Sequence, residues 1–305
     1  MLFRSDTHSR IGSLHIRSGP HRRGTHGKYQ KQKTDNPKAS FFQFNLKEIL
    51  EYRDLIILFV KRDFKTMYKQ TILGPAWILI NPLLTTVIFT IVFGRIASIS
   101  TDGIPDFLFY MAGNILWSYF SGCLQATAGT FLGNARLFGK VYFPRLVMPI
   151  ATCISKLITF GAQFFLFFLF VMWYMWKGNV RLTWLCLLTP LILFELALLA
   201  MGVGMILASL TTKYRDLQVL VGFGVQLWMY ATPIVYPYSQ IPGKWRWIIS
   251  WNPVASLVEI FRYGWRGSGT VSFPQMGMGA LITAVILVFG VLLFNRTQRT
   301  FMDSI

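Results

Sequence analysis

Six long apolar runs dominate the pattern of hydrophobic and polar positions along the chain. They lie near residues 72–95, 107–132, 148–175, 183–210, 217–236 and 274–295. Each run reaches the roughly 20 residues that an α-helix needs to cross the hydrocarbon core of a bilayer. The apolar residues are concentrated in these charge-poor runs and are not scattered with the period of a soluble helix or strand. The pattern therefore predicts an all-α membrane protein with six transmembrane helices.

A different pattern precedes the first run. Between Phe44 and Lys69, apolar residues recur mostly at steps of three and four, and Lys61, Lys65 and Lys69 form a basic stripe. The longest apolar stretch in this segment, LIILFV, is too short to cross a bilayer. Residues 44–71 are therefore predicted to form an amphipathic helix that lies on the membrane surface.

The stretch IVYPYSQIPGKWRWIISWNP, between the fifth and sixth runs, fits neither a span nor a solvated loop. Its prolines and charges exclude a spanning helix, whereas its aromatic and aliphatic residues make it too apolar for a loop in water. Asn252 followed by Pro253 predicts the cap and first turn of a helix, on which Glu259 and Arg262 are spaced to pair. We predict a re-entrant hairpin over 237–266 that lines or closes an exit, with a purely anchoring hairpin as the alternative.

Composition agrees with a membrane protein, since 53% of the residues are hydrophobic and only 14% are charged. The net charge of +18 is carried largely by residues that flank the runs, so headgroups and topology explain it and nucleic acid is not expected as a partner. Residues 1–43 are predicted to be a disordered basic tail. Its four His have no regular ligand spacing, and the three Cys of the chain are expected to pack as small apolar residues; no metal or cofactor is predicted for this chain.

The distribution of Lys and Arg between the loops predicts the orientation. The segments 46–71, 133–147, 211–218 and 296–305 carry 13 of them, against 7 in 95–106, 177–181 and 236–266. Because positively charged loops stay in the cytoplasm, both termini are predicted to be cytoplasmic and the hairpin to lie outside. The predicted organisation is a tail (1–43), the surface helix (44–71), the membrane domain (72–300) and a short cytoplasmic end (301–305).

The chain contains no motif that would let it hydrolyse a nucleotide, because none of its Gly-Lys pairs completes G-x-x-x-x-G-K-[ST]. A secondary carrier would favour repeated halves and several intramembrane ionisable groups, whereas Glu195 is the clear acid within a run and no internal repeat is evident. Glu195 is expected at a dimer interface or in a channel, with hydrogen bonding to neighbouring helices as the alternative. These observations favour a permease driven by a partner.

Five segments resemble a known family: LGPAWILINPLL (73–84), FPRLVMPIA (143–151), KYRDLQVL (213–220), WMYATPIVYP (228–237) and NPVASLVEIFR (252–262). They are similar to the membrane subunit of bacterial polysaccharide ABC exporters, the Wzm-type O-antigen permeases with their capsule and teichoic-acid relatives. The likeness covers roughly 44–300 and implies the type-2 ABC exporter fold in the bacterial inner membrane. It further implies a homodimer with two separate ATPase subunits, which carry ATP and Mg, and a lipid-linked glycan as substrate, most specifically O-antigen on undecaprenyl pyrophosphate. A permease for small lipids or drugs is the nearer alternative, and a membrane enzyme of lipid-linked sugars the more distant one.

Several candidate functional groups follow from the resemblance and from the residues. The loop 134–145 is assigned the ATPase-coupling role that the family implies, with a plain topology signal as the alternative. Its candidate residues are Arg136, Phe138, Lys140, Tyr142, Phe143 and Arg145. Arg215 and Asp216 form a second cytoplasmic candidate, which either stabilises the spans or contacts the ATPase. Lys61, Arg62, Lys65 and Lys69 are candidates for a lipid pyrophosphate or for ordinary headgroups.

Aromatic rings provide the remaining candidates, because the C–H faces of sugars stack on them. The candidates for a channel lining are Trp77, Phe89, Phe93, Trp117, Tyr119, Phe120, Phe131, Trp228 and Tyr230, although most aromatic residues at such positions pack or face lipid. Trp245, Trp247 and Trp251 are predicted to anchor the hairpin at headgroup level. Glu259 and Arg262 are predicted to remain on a polar side that lines or closes the exit.

Overall fold

A computed structural model describes residues 51–68, 73–138, 143–214, 216–267 and 272–302, without the side chains of 67–68, 135–136 and 299–302. The predicted tail, 1–43, lies outside these residues. Ten α-helices account for most of the described chain. They are α1 (Arg53–Tyr68), α2 (Trp77–Phe89), α3 (Asp106–Ala128), α4 (Thr130–Phe138), α5 (Val147–Trp176), α6 (Thr189–Lys213), α7 (Leu217–Ala231), α8 (Gly243–Ser250), α9 (Pro253–Arg266) and α10 (Phe273–Met302).

Short helical segments of other types extend two of these helices. A 3-10 helix, Gly74–Ala76, leads into α2, and a π-helical segment, Thr90–Ile96, continues it. A second 3-10 helix, Trp184–Leu188, leads into α6. The described residues contain no strand, so the predicted all-α class is confirmed for that part of the chain.

Four continuous helical segments are long and apolar enough to cross a membrane: Gly74–Ile96, Val147–Trp176, Trp184–Lys213 and Phe273–Gln298. Their bounds lie close to four of the predicted runs. The other two predicted runs, 107–132 and 217–236, are not among these four segments, for separate reasons. Helix α3 is long enough but carries polar residues and is largely buried by its neighbours, and α7 has only 15 residues, about 22 Å of helix. The prediction of six spans therefore stays a prediction.

Helix α3 lies at the centre of the bundle and packs against α2, α5 and α6. Small residues allow this close packing. A Cβ atom at Gly204 of α6 would lie 2.6 Å from the Cβ of Thr127 on α3, and one at Gly202 would lie 2.9 Å from the Cα of Leu287 on α10. Both glycines thus permit backbone approaches that any larger residue would prevent, as is common between membrane helices.

The predicted amphipathic helix is present as α1, although its position on a membrane surface stays a prediction. Phe59 is buried against α5 and the neighbouring aromatic residues, whereas Ile57, Leu58 and Phe64 are exposed. One side of α1 therefore packs on the bundle. The exposed apolar residues on its other sides are compatible with contact to lipid.

Candidate functional site

Helix α9, the second helix of the predicted hairpin, begins as the sequence predicts. The side-chain oxygen of Asn252 accepts a hydrogen bond from the backbone nitrogen of Val254 at 3.1 Å, and Pro253 occupies the first turn of α9. The amide nitrogen of Asn252 also donates to the Thr232 hydroxyl at 2.9 Å. The cap therefore joins the start of α9 to the end of α7, and the predicted N-cap is confirmed.

The predicted pairing of Glu259 with Arg262 is also confirmed, with 3.1 Å between Oε1 and Nη1. Neither side chain lies on an open polar side, because Arg262 is only 1% exposed and Glu259 is buried beside it; their predicted role at an exit stays a prediction. Arg262 donates to the carbonyl oxygens of Pro233 at 2.6 Å and Ile234 at 2.7 Å. Its guanidinium carbon lies 3.7 Å from the ring centroid of Phe109. Through these contacts, Arg262 connects α9 to the chain that follows α7 and to the start of α3.

A second arginine, Arg266, is buried one turn further along α9. None of its three side-chain nitrogens has a hydrogen-bond partner among the described residues. This helix lies outside the four candidate spans, and burial lowers the pKa of Arg266, with the charge of Arg262 adding to the effect. Burial disfavours the charged form of Glu259 as well and so raises its pKa, whereas the charge of Arg262 acts in the opposite direction. The buried cluster on α9 therefore combines one carboxyl group, of Glu259, with the guanidinium groups of Arg262 and Arg266.

The three tryptophans predicted to anchor the hairpin are exposed, and their position at headgroup level stays a prediction. Trp245 and Trp247 on α8 and Trp251 directly after it are all exposed. Arg246, between the first two, donates to the backbone oxygens of Ser239 and Ile241, both at 2.9 Å. The rings therefore project from a short helix whose position is fixed by the preceding loop.

The coupling candidates that the structure describes are buried. Phe138, Phe143 and Arg145 belong to an aromatic cluster that includes Phe59 and Phe131. Arg145 donates to the backbone oxygen of Gln298 at 3.1 Å and lies over the ring of Phe138 at 4.9 Å. These three residues thus hold α1, α4, α5 and α10 together and are not presented for direct contact with an ATPase.

The remaining cytoplasmic candidates are only partly described. Lys140 and Tyr142 lie outside the described residues, as do Lys69 and Arg215, and the side chain of Arg136 is not described. Asp216 caps α7, its carboxylate accepting from the backbone nitrogen of Leu217 at 3.1 Å.

The described members of the basic stripe on α1 are exposed. Arg62 pairs with Asp63 at 2.8 Å and lies over the ring of Phe59 at 4.9 Å. Lys61 and Lys65 are exposed and make no ion pair among the described residues. Two ammonium groups of the stripe therefore stay available to anionic headgroups.

Most of the channel candidates are packing residues within the chain. Phe89, Trp117, Tyr119, Phe120 and Phe131 are buried, and Phe93 and Trp228 are partly buried against the same core. Trp77 and Tyr230 are exposed. Neighbouring helices of the chain cover the buried rings, and the channel-lining role stays a prediction.

Glu195 is buried on α6, and its Oε1 has no hydrogen-bond partner among the described residues. A Cβ atom at Gly279 of α10 would lie 3.5 Å from this oxygen and 3.3 Å from the Ser256 hydroxyl of α9. The carboxyl group therefore lies where α6, α9 and α10 meet. Neither the predicted dimer interface nor the predicted channel is tested by a single chain.

Two ionisable residues that the sequence interpretation overlooked stand out in the structure. In the sequence, Arg266 contributes only to the charge of the segment 236–266, and Lys156 is not among the candidate residues. Lys156 lies within the span Val147–Trp176. A lone charged residue in an apolar run was the available signal for Lys156, whereas the burial of Arg266 had no signal in the sequence.

Comparisons with known proteins agree with this architecture. The family model described as "ABC-2 type transporter" matches residues 54–265. A Klebsiella pneumoniae relative named O-antigen export system permease protein RfbA is 28% identical over 254 residues, which are 82% of this chain and 94% of the relative. A Myxococcus xanthus relative of the same name is 27% identical over 263 residues, 85% of this chain and 98% of the relative.

A third relative has a different name. The polysialic acid transport protein KpsM of Escherichia coli is 22% identical over 253 residues, 80% of this chain and 93% of the relative. The family match covers most of the chain and extends from the start of α1 almost to the end of α9. The chain therefore belongs to the ABC-2 type transporter family and is a multi-pass membrane transport protein.

Proposed function

We propose that this chain is the membrane-spanning subunit of an ATP-driven exporter that moves a lipid-linked polysaccharide across the bacterial inner membrane. The observation that carries this proposal is the similarity over nearly the whole length of relatives named O-antigen export system permease. O-antigen on undecaprenyl pyrophosphate is the most specific substrate that fits these names. Capsule export is the second candidate, favoured by the more distant similarity to KpsM.

The working assembly in this proposal is a homodimer of the chain bound to two ATPase subunits. The absence of a nucleotide-binding motif from the sequence supports a separate ATPase, which carries ATP and Mg. The aromatic cluster around Phe143 is proposed to transmit ATPase motion, because it joins four helices at one end of the bundle. In this proposal the loop 134–145 contacts the ATPase, while Phe138, Phe143 and Arg145 hold its ends against the bundle.

The proposed topology has six crossings, with α3 and α7 added to the four long apolar segments. The burial of α3 at the centre of the bundle supports its crossing, since a helix covered by protein tolerates polar residues. The excess of Lys and Arg on one side supports cytoplasmic termini. The hairpin then lies at the outer leaflet and closes the exit as a packed unit, with its tryptophans at headgroup level.

Copurification tests the proposed function directly. The complex isolated through a tag on this chain is expected to contain an ATPase whose turnover rises when a lipid-linked glycan is added. The matched additions are the same lipid carrier without glycan and a drug-like amphiphile. Stimulation by the amphiphile alone would favour a small-molecule exporter, and a complex without an ATPase would contradict the proposal.

Accessibility of introduced cysteines tests the topology. A cysteine at Trp247, which is 64% exposed, is expected to react with a membrane-impermeant maleimide in intact spheroplasts. A cysteine at Thr66, exposed on α1, is expected to react only after permeabilisation, and one at Val258, which is buried, in neither condition. The half-buried Cys186 is replaced by alanine in all variants to lower the background. Labelling of Thr66→Cys in intact spheroplasts would contradict the proposed orientation.

A further inference from the structure

Lys156 lies inside a membrane span, in the sequence ATCISKLITF of α5. Its position is about 14 Å along the helix axis from Val147. A lysine at this depth is costly unless it reaches the interface, meets a counter-charge or faces water. The described residues supply no ion pair to it, so its surroundings must explain why it is tolerated.

Two adjoining polar cavities meet at Lys156. Their volumes are about 490 Å³ and 320 Å³, and both are lined by Ser118, Lys156, Thr159 and Gln163. The larger one also contains Ser121, Gly122 and Gln125 of α3, and the smaller one Gly74, Trp77, Asn81, Thr85 and Asn114. Together they form a polar groove between α2, α3 and α5, which we call the Lys156 groove.

The side chain of Lys156 lies along α3 within the groove. A Cβ atom at Gly122 would lie 3.4 Å from the Cδ of Lys156, so the lysine stem runs along the glycine of α3. Two amides of the groove are already engaged with backbone oxygens: Asn114 donates to Pro82 at 3.1 Å and Gln163 to Ile78 at 3.3 Å. These bonds fix α2 against α3 and α5 and hold the groove open beside the lysine.

The charge of the groove selects its ligand. None of the described residues that line the two cavities is acidic, whereas one is a lysine and most of the others carry hydroxyl or amide groups. A cation with hydroxyl and amide donors in a medium of low dielectric constant favours an anion that accepts several hydrogen bonds. Among anions, the phosphate of a lipid carries an apolar chain that can lie between membrane helices, where basic pockets bind lipid headgroups.

We propose that the Lys156 groove binds the phosphate group of a lipid, with Lys156 as the counter-ion. A membrane phospholipid and a polyprenyl-phosphate carrier both present this chemistry. The binding of phosphate is independent of the proposed export function. Only the choice of the polyprenyl carrier as the occupant rests on that function, because the carrier is the lipid end of the proposed substrate.

Native mass spectrometry and fluorescence titration of the purified full-length chain test the inference with two probes, undecaprenyl phosphate and phosphatidylglycerol. Lys156→Met keeps the length of the side chain and removes the charge. It is expected to weaken probe binding about tenfold or more, the loss typical of a charge-assisted hydrogen bond. Lys156→Arg is expected to retain binding within about threefold, because it keeps the charge and donors.

Lys177→Met is the matched control, since Lys177 terminates the same helix at its other end and lies over the ring of Trp173. It is expected to bind both probes like the unchanged chain. Weaker binding of both probes by Lys156→Met indicates a general phosphate site, and weaker binding of undecaprenyl phosphate alone indicates a carrier site. Unchanged binding of both by a folded Lys156→Met chain overturns the inference. Lost binding with normal export would leave the phosphate site standing and remove only its link to export.

Discussion

Replacing Arg262 by methionine is expected to destabilise the folded chain by about 3–5 kcal/mol, the cost of breaking a buried ion pair from one side. The substitution leaves Glu259 buried without its partner and removes the donors to the carbonyl oxygens of Pro233 and Ile234. Thermal unfolding of the purified chain in detergent measures the effect. A fall of roughly 10 °C in the midpoint is expected for a chain of this size.

Arg246→Met provides the matched control for this result. Arg246 also donates to two backbone oxygens, yet it is an exposed residue on α8. Its replacement is expected to cost less than about 1 kcal/mol, because water can take over the freed carbonyl groups. The double change Glu259→Gln with Arg262→Met is expected to recover part of the loss, since it removes the unpaired charge. Equal midpoints for Arg262→Met and Arg246→Met would contradict the structural role given to the buried pair.

The sequence predicted the local features of the hairpin but not its burial. The Asn252–Pro253 start and the spacing of Glu259 and Arg262 are determined by neighbouring residues along one helix. The hydrogen-bond partners of Arg262 could not be predicted in this way. The carbonyl oxygens of Pro233 and Ile234 become available only where α7 ends and the chain turns. Helical periodicity identifies the faces of α9 but not the elements that cover them. A polar face could therefore be predicted, but its enclosure could not.

The membrane spans were also predicted only in part. Long apolar runs predicted α2, α5, α6 and α10 well, because a lipid-facing helix has to be apolar over its whole length. Helix α3 departs from this rule because protein surrounds it, and α7 ends early at Ala231 before Pro233. The sequence shows Lys156 only as a single charge within an apolar run. Its polar surroundings come from three helices that are far apart in sequence, which no single run reveals.

The aromatic cluster at the proposed cytoplasmic end allows a second test with a large expected effect. Phe143 is 4% exposed, and its ring centroid lies 5.7 Å from those of Phe59 on α1 and Phe138 on α4. Phe131 in turn stacks on Phe294 of α10 at 4.5 Å. Phe143→Ala removes the ring that links these contacts and leaves a cavity, so a loss of about 3–5 kcal/mol in unfolding free energy is expected.

Phe165→Ala makes the same chemical change on α5 at a side chain that is 62% exposed, and it is expected to shift the unfolding midpoint far less. Phe143→Leu should lie between the two, because it keeps most of the buried apolar surface. If export by Phe143→Leu falls together with stability, the cluster acts by holding the helices in place. If export falls while stability and ATP hydrolysis are retained, the cluster transmits motion, since only the connection between hydrolysis and transport is then lost. A Phe143→Ala chain as stable as Phe165→Ala would show that the cluster does not support the fold, and its rigidity could no longer explain coupling.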